Sequence, residues 1–227
     1  MHLTRFNIDL RRRGAQRYLR SPQRLHAAIC KAATPQRSEG EGRVLWRLDG
    51  ISGPTVDRPP ILWIASPEPP GLDDLAAEAG LAVGGTVYTT KPYVPLLDRL
   101  TAGQRFGFRL AANAVRSRKS DEDANRSKRF GHVTVAQQLG WLVDRADRHG
   151  FAITPTATGE PDAAVVGRRV LRFNRDGRRV TVAVAEFGGR LDVTDAAALR
   201  RTLTYGIGHA RAYGCGLLTL APARCPM

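Results

Sequence analysis

Over the first ninety of these 227 residues the hydrophobic pattern runs strand, helix, strand, strand, helix, strand, and the rest is a decorated version of that order. That order predicts an α+β fold of two tandem ferredoxin-like (βαββαβ) domains, residues 1–92 and 93–227. Apolar residues make up 42% of the chain, enough for packed cores. A third observation is the Arg175-Asp176-Gly177 turn, which joins two alternating runs as a β-hairpin in the second unit.

In the first unit, Leu3 to Leu10 alternates polar and apolar residues like a half-buried strand. Ser21-Pro22 reads as a helix N-cap with proline at the first helical position. The helix is expected from Pro22 to about Ala33, with Leu25, Ala28, Ile29 and Ala32 on one face. Residues 44–49 and 60–66 read as strands, Leu72 to Ala79 as a short helix ending at Gly80, and Thr86 to Lys91 as the fourth strand. Pro92 to Gly103 connects the units.

The second unit opens with a long alternating strand, Gln104 to Arg116. The polar stretch Ser117 to Arg129 is expected to be a mobile loop. Thr134 to His149 is an amphipathic helix, capped by Thr134 and ended by Gly150, with Val135, Leu139, Leu142, Val143 and Ala146 on its apolar face. Short strands follow at Phe151 to Thr154, Val165 to Asn174 and Arg178 to Phe187. A helix from Asp195 to Tyr205 and a strand from Leu217 to Leu220 close the pattern.

Lysine and arginine number 35 against 21 acids, a net charge of +14, which points to a polyanionic partner. Only Lys31, Lys91, Lys119 and Lys128 are lysines. Arginine binds phosphate through two N–H groups and stacks on bases, although a GC-rich genome also favours its codons. The charge gathers in three places: residues 1–31, where Asp9 is the single acid; residues 116–129, with Arg116, Lys128 and Arg129; and the hairpin, with Arg168, Arg169, Arg172 and Arg175. A β-ribbon of this kind fits a nucleic-acid groove, and structured RNA is open to one near a helix end or loop. Between the last helix and strand lies Gly206-Ile207-Gly208-His209-Ala210-Arg211-Ala212-Tyr213-Gly214-Cys215-Gly216, a loop whose backbone N–H groups could cradle phosphate.

Three cysteines without paired spacing exclude a disulfide framework and a zinc cluster. The N-terminus lacks the apolar run of a signal peptide, and no stretch of about 20 apolar residues reads as a membrane span. A soluble, cytoplasmic protein with no membrane partner is expected. With no metal or cofactor motif, phosphodiester chemistry here would be metal-independent. It would therefore need RNA, whose 2′-hydroxyl is the nucleophile.

Among five histidines, His149 reads as a helix C-terminal cap and His2 lies at the terminus. His132 precedes a helix and His209 lies in the glycine loop. His26 sits on a basic helix off its apolar face, with Gln23 three residues before and Lys31 five after. An imidazole can move a proton near neutral pH, and an ammonium can stabilise charge on a pentacoordinate phosphorane. Spacing alone favours an ordinary surface histidine.

Several segments taken in order resemble the CasE family, the CRISPR repeat-processing endoribonucleases of Cascade-type systems. They are Met1-His2-Leu3-Thr4-Arg5, Ser21 to Ala28, Arg43 to Asp49, Phe108 to Arg116, Lys128 to His132 and Gly206 to Leu217. The resemblance implies a metal-independent nuclease with two ferredoxin-like domains. It would cut precursor RNA at the 3′ base of the repeat stem-loop, leaving a 2′,3′-cyclic phosphate and a 5′-hydroxyl. It also implies other Cascade subunits as partners. His26 becomes the leading catalytic residue, with Lys31 as charge stabiliser and Gln23 where some members carry tyrosine. An amide donates a hydrogen bond but delivers no phenolic proton. RNA contacts are implied for the basic hairpin, Arg24, Arg116, Lys128, Arg129 and the loop residues Gly206, Gly208, His209, Arg211, Gly214 and Gly216. The alternatives are a non-catalytic structured-RNA-binding subunit and, from another class, a ribosome-associated or DNA-binding architectural protein.

Overall fold

The computed structural model describes residues 1–33, 42–51, 59–120, 123–175 and 177–223, without the side chains of 116–130. Its first sheet holds β1 (His2–Asn7), β2 (Leu45–Asp49), β3 (Ile61–Ser66) and β4 (Tyr88–Pro92). They lie in the order β2-β3-β1-β4, all antiparallel. Helices α1 (Arg13–Arg20), α2 (Pro22–Ala32) and α3 (Asp73–Ala79) cover one face. Phe6, Trp46, Leu62 and Ile64 of the sheet meet Ala15, Leu25, Ile29 and Leu75 of the helices in one core. This is the ferredoxin-like order that the sequence predicts.

A short helix α4 (Val94–Asp98) occupies the connection. The second sheet uses β5 (Arg105–Ala112), then, beyond a ribbon of β6 (Val115–Ser120) and β7 (Asp123–Gly131) and helix α5 (Val135–Ala146), β8 (Phe151–Ile153). It is completed by β9 (Ala163–Arg175), β10 (Arg178–Val193), helix α6 (Ala196–Tyr205) and β11 (Leu218–Pro222). The order is β11-β5-β10-β8, with β9 lying along the outer part of β10. Phe108, Leu110, Phe187 and Leu191 pack beneath Leu142 of α5 and Leu199 and Leu203 of α6. The fold is α+β with two antiparallel ferredoxin-like sheets.

Arg47 ties the two sheets together. It is 2% exposed, and its Nη1 donates to the carbonyls of Arg109 (2.8 Å) and Leu217 (3.0 Å). Its Nε and Nη2 grip the Asp49 carboxylate, so the buried charge is paired and its donors are used.

Several expectations need correction. Ser117 to Arg129 is no loop: its described residues form the β6–β7 ribbon, with Val115 opposite Gly131 and Ser117 opposite Arg129. The stretch has no period-2 apolar signal, so backbone pairing there is silent in the sequence. The predicted strand Gln104 to Arg116 is two strands, interrupted at Asn113 and Ala114. Helix α1 was hidden because only Ala15 of it is buried. Strand β10 runs on through Gly188-Gly189, which look like breakers. A Cβ at Gly189 would lie 2.1 Å from the carbonyl oxygen of Asp162, so the glycine admits a neighbouring backbone.

His149 is not a charged cap. It is half-buried with its Nδ1 2.9 Å from Thr202 Oγ1, and burial, then Arg148, Arg145 and Arg211, push its pKa down to about 4. The unfolded chain therefore takes up this proton first as pH falls, so stability present above about pH 6.5 is lost towards pH 4. Denaturant unfolding between pH 7 and pH 4.5 should show a steeper loss in wild type than in His149→Gln. Parallel curves would remove His149 as the cause.

Candidate nucleic-acid interface and active site

Helix α2 starts at Ser21, whose hydroxyl accepts the Arg24 backbone N–H, with Pro22 in the first turn. Leu25 and Ile29 anchor its buried face, which leaves His26 half-buried at the edge. The Trp46 indole N–H donates to His26 Nδ1 at 3.3 Å. Indole nitrogen is only a donor, so Nδ1 must be unprotonated and the neutral ring carries its proton on Nε2. Cys30 Sγ lies 3.6 Å from Nε2 and 3.7 Å from Nδ1, and burial raises its thiol pKa.

The His26 pKa is lowered, first by burial and then by the cations Arg43 and Arg175. Both charges acting on the ring are therefore positive. Arg175 ends β9 and donates to Tyr213 Oη at 3.0 Å, while Tyr213 meets Phe173 edge to face at 4.7 Å. Arg211 lies half-buried with Nε unpaired, and its pKa is lowered by burial and by Arg43. Two like charges converge on one imidazole, from the β2 approach and the β9 tip, and Arg211 of the glycine loop faces the first of them. An anion placed there would relieve the repulsion.

The structure does not gather all predicted residues around His26. Lys31 points to Asp74 of α3, 3.1 Å away, and both side chains are exposed. Gln23 and Arg24 line a cleft of about 880 Å³ between α1 and α2. On β9, Arg168 and Arg172 share the exposed face, with Arg168 donating to the Val133 carbonyl at 3.3 Å. Arg169 turns inward to an ion pair with Glu186. Arg116, Lys128 and Arg129 lie on the β6–β7 ribbon, where side chains fall outside the described residues.

The glycine loop needs a correction. Gly206, Gly214 and Gly216 are buried, and all four glycines admit neighbouring protein atoms. A Cβ would lie 3.0 Å from Leu45 at Gly206, 3.1 Å from Trp141 at Gly208, 2.6 Å from Trp46 at Gly214 and 2.8 Å from the Ile207 carbonyl at Gly216. This is close packing, not an open phosphate cradle. His209 is exposed and forms a β-bridge with Asn113. Sequence reasoning gave no role to Arg43, Trp46 or Tyr213. They come from other elements, and no periodicity links them to His26. Among the described residues no group of three or more His, Cys, Asp or Glu could hold a metal ion, and no helix is long and apolar enough to cross a membrane.

The fold, two ferredoxin-like sheets, is matched by known proteins. A family model described as CRISPR associated protein matches residues 1–222. The CRISPR-associated endoribonuclease Cse3 of Thermus thermophilus is 32% identical over 98% of this chain and 100% of its own. The CRISPR system Cascade subunit CasE of Escherichia coli is 29% identical over 68% of this chain and 76% of its own. A solved structure of Cse3 bound to a 19-nucleotide RNA superposes with a TM-score of 0.78 and 30% identity, covering 98% of this chain and 100% of that one. The chain belongs to the CRISPR-associated Cse3/CasE family, as its sequence resemblance implied.

Proposed function

We propose that this protein is an endoribonuclease that processes precursor CRISPR RNA. It cuts at the 3′ base of the repeat stem-loop without a metal ion and leaves a 2′,3′-cyclic phosphate and a 5′-hydroxyl. The names of its relatives support the class of activity, and the name of one supports membership of a Cascade assembly. The observation that carries the chemistry is His26, held by Trp46 and faced by Arg43 and Arg175.

In the reaction, the 2′-oxygen bonds to phosphorus and the P–O5′ bond breaks. The 2′-hydroxyl proton goes to water, and the leaving 5′-oxygen gains one. The neutral His26 ring keeps its proton: Nε2–H hydrogen-bonds that oxygen as charge builds on it, and water delivers the proton. Arg43, Arg175 and Arg211 take the charge that builds on the phosphoryl oxygens. Lys31 joins them by leaving Asp74, since an exposed pair contributes little. Gln23 hydrogen-bonds the substrate without moving a proton. Arg168 and Arg172 of β9, the β6–β7 ribbon, His209 and Arg24 hold the RNA.

Two observations favour a non-catalytic RNA-binding subunit instead: Gln23 cannot act as an acid, and Lys31 rests on Asp74. Incubation of a repeat hairpin RNA in EDTA decides between them. A single cut at the 3′ base of the stem, with a cyclic phosphate on the upstream product, is expected. Binding without cutting would favour the silent subunit.

A further inference from the structure

We propose that the cleft between α1 and α2 binds the unpaired nucleotides on the 3′ side of the scissile phosphate, with guanidiniums on phosphates and carboxamides on base edges. This rests on the reading of His26 as the cutting residue. The cleft, about 880 Å³, is lined by Arg13, Arg20 and Arg24 and by the amides of Gln16, Gln23 and Asn174, with no carboxylate among its lining residues. Positions 13, 16 and 20 fall on one face of α1, opposite the buried Ala15. Arg13, Arg20 and Arg24 have no ion-pair partner among the described residues, so their charge is available to a ligand.

Two arguments identify the occupant. Guanidinium pairs bidentately with phosphate, and a carboxamide pairs with a base edge, so this mixture suits nucleotides better than inorganic phosphate. The cleft is also concave and only as large as a small-ligand pocket. A duplex cannot enter it, whereas unpaired bases can be splayed into such a site with their edges open. Position follows from α2. Gln23 and Ala27 line the cleft, and His26 lies between them in the sequence. A strand leaving the cut would pass directly into it, while the β9 arginines Arg168 and Arg172 stand on a ribbon suited to the stem.

The test uses full-length protein and a hairpin RNA made uncleavable by 2′-deoxy substitution at the cut, with and without a short 3′ extension. Fluorescence anisotropy should show the extension tightening wild-type binding at least about tenfold, through added phosphate contacts. Arg13→Ala/Arg20→Ala, two exposed changes, should lose that gain and keep the stem-only affinity within about twofold. Gln16→Leu/Asn174→Leu should bind native and scrambled extensions alike, where wild type prefers the native one. Equal losses on both RNAs would place the stem in the cleft and overturn the proposal, as would no loss on either. A wild type that binds neither RNA would overturn the parent reading, and this one with it.

Discussion

His26→Ala is expected to bind the repeat hairpin like wild type and to cut it at least about a hundredfold more slowly, the usual worth of a hydrogen-bond donor aimed at developing charge. The change removes a half-buried ring that contacts Trp46 and Cys30 and replaces it with a good helix former, so α2 should persist. The change touches none of the arginines proposed to hold the RNA, so affinity should hold. Single-turnover rates in EDTA isolate the chemical step. A 2′-deoxy nucleotide at the cut should abolish cleavage by wild type, because it removes the nucleophile. His209→Ala should weaken binding more than chemistry, since its side chain is exposed in the glycine loop. If His26→Ala cuts at the wild-type rate, the active-site assignment fails and the loop histidine becomes the next residue to remove.

Where an element buries one face and carries its own cap, the sequence shows it. Helix α2 announces itself through Ser21-Pro22 and the Leu25/Ile29 spacing, and α5 through Thr134, which makes a capping box with Gln137. An element that buries little is silent, as α1 is, and so is one whose sequence has no apolar period, as the β6–β7 ribbon has none. Site residues follow a different logic. His26 stood out only through its segment's likeness to a family, because spacing alone allowed an ordinary surface histidine. Its real surroundings come from β2, the tip of β9 and the loop after α6, separated by up to about two hundred residues of chain. Local pattern cannot report such contacts. The glycines misled for a related reason: glycine marks a close approach without saying what approaches.

Gly214→Ala is expected to cost roughly 2–5 kcal/mol, combining left-handed backbone strain with overpacking. Gly214 has φ +80°, and its Cβ would sit 2.6 Å from Trp46 Cζ3, inside a wall that is 1% exposed and has no room to yield. For a chain of this length that is a fall in Tm of roughly 5–15 °C. Gly103→Ala is the control, because Gly103 has φ +86° but open space around it. It should cost only the strain, about 1–2 kcal/mol. The Gly214 variant should also cut RNA more slowly at temperatures where it is folded, because displacing the indole moves the N–H that holds His26 Nδ1. Pairing it with Trp46→Phe separates the two effects. Phenylalanine is one ring shorter and lacks the outer benzo edge of the indole that the new methyl meets, so the double variant should regain part of the lost Tm over Gly214→Ala. It cannot regain the cleavage rate, since no indole N–H remains to fix the imidazole. Recovery of both would show that Trp46 supports His26 through packing alone, while recovery of neither would place the damage elsewhere in the loop.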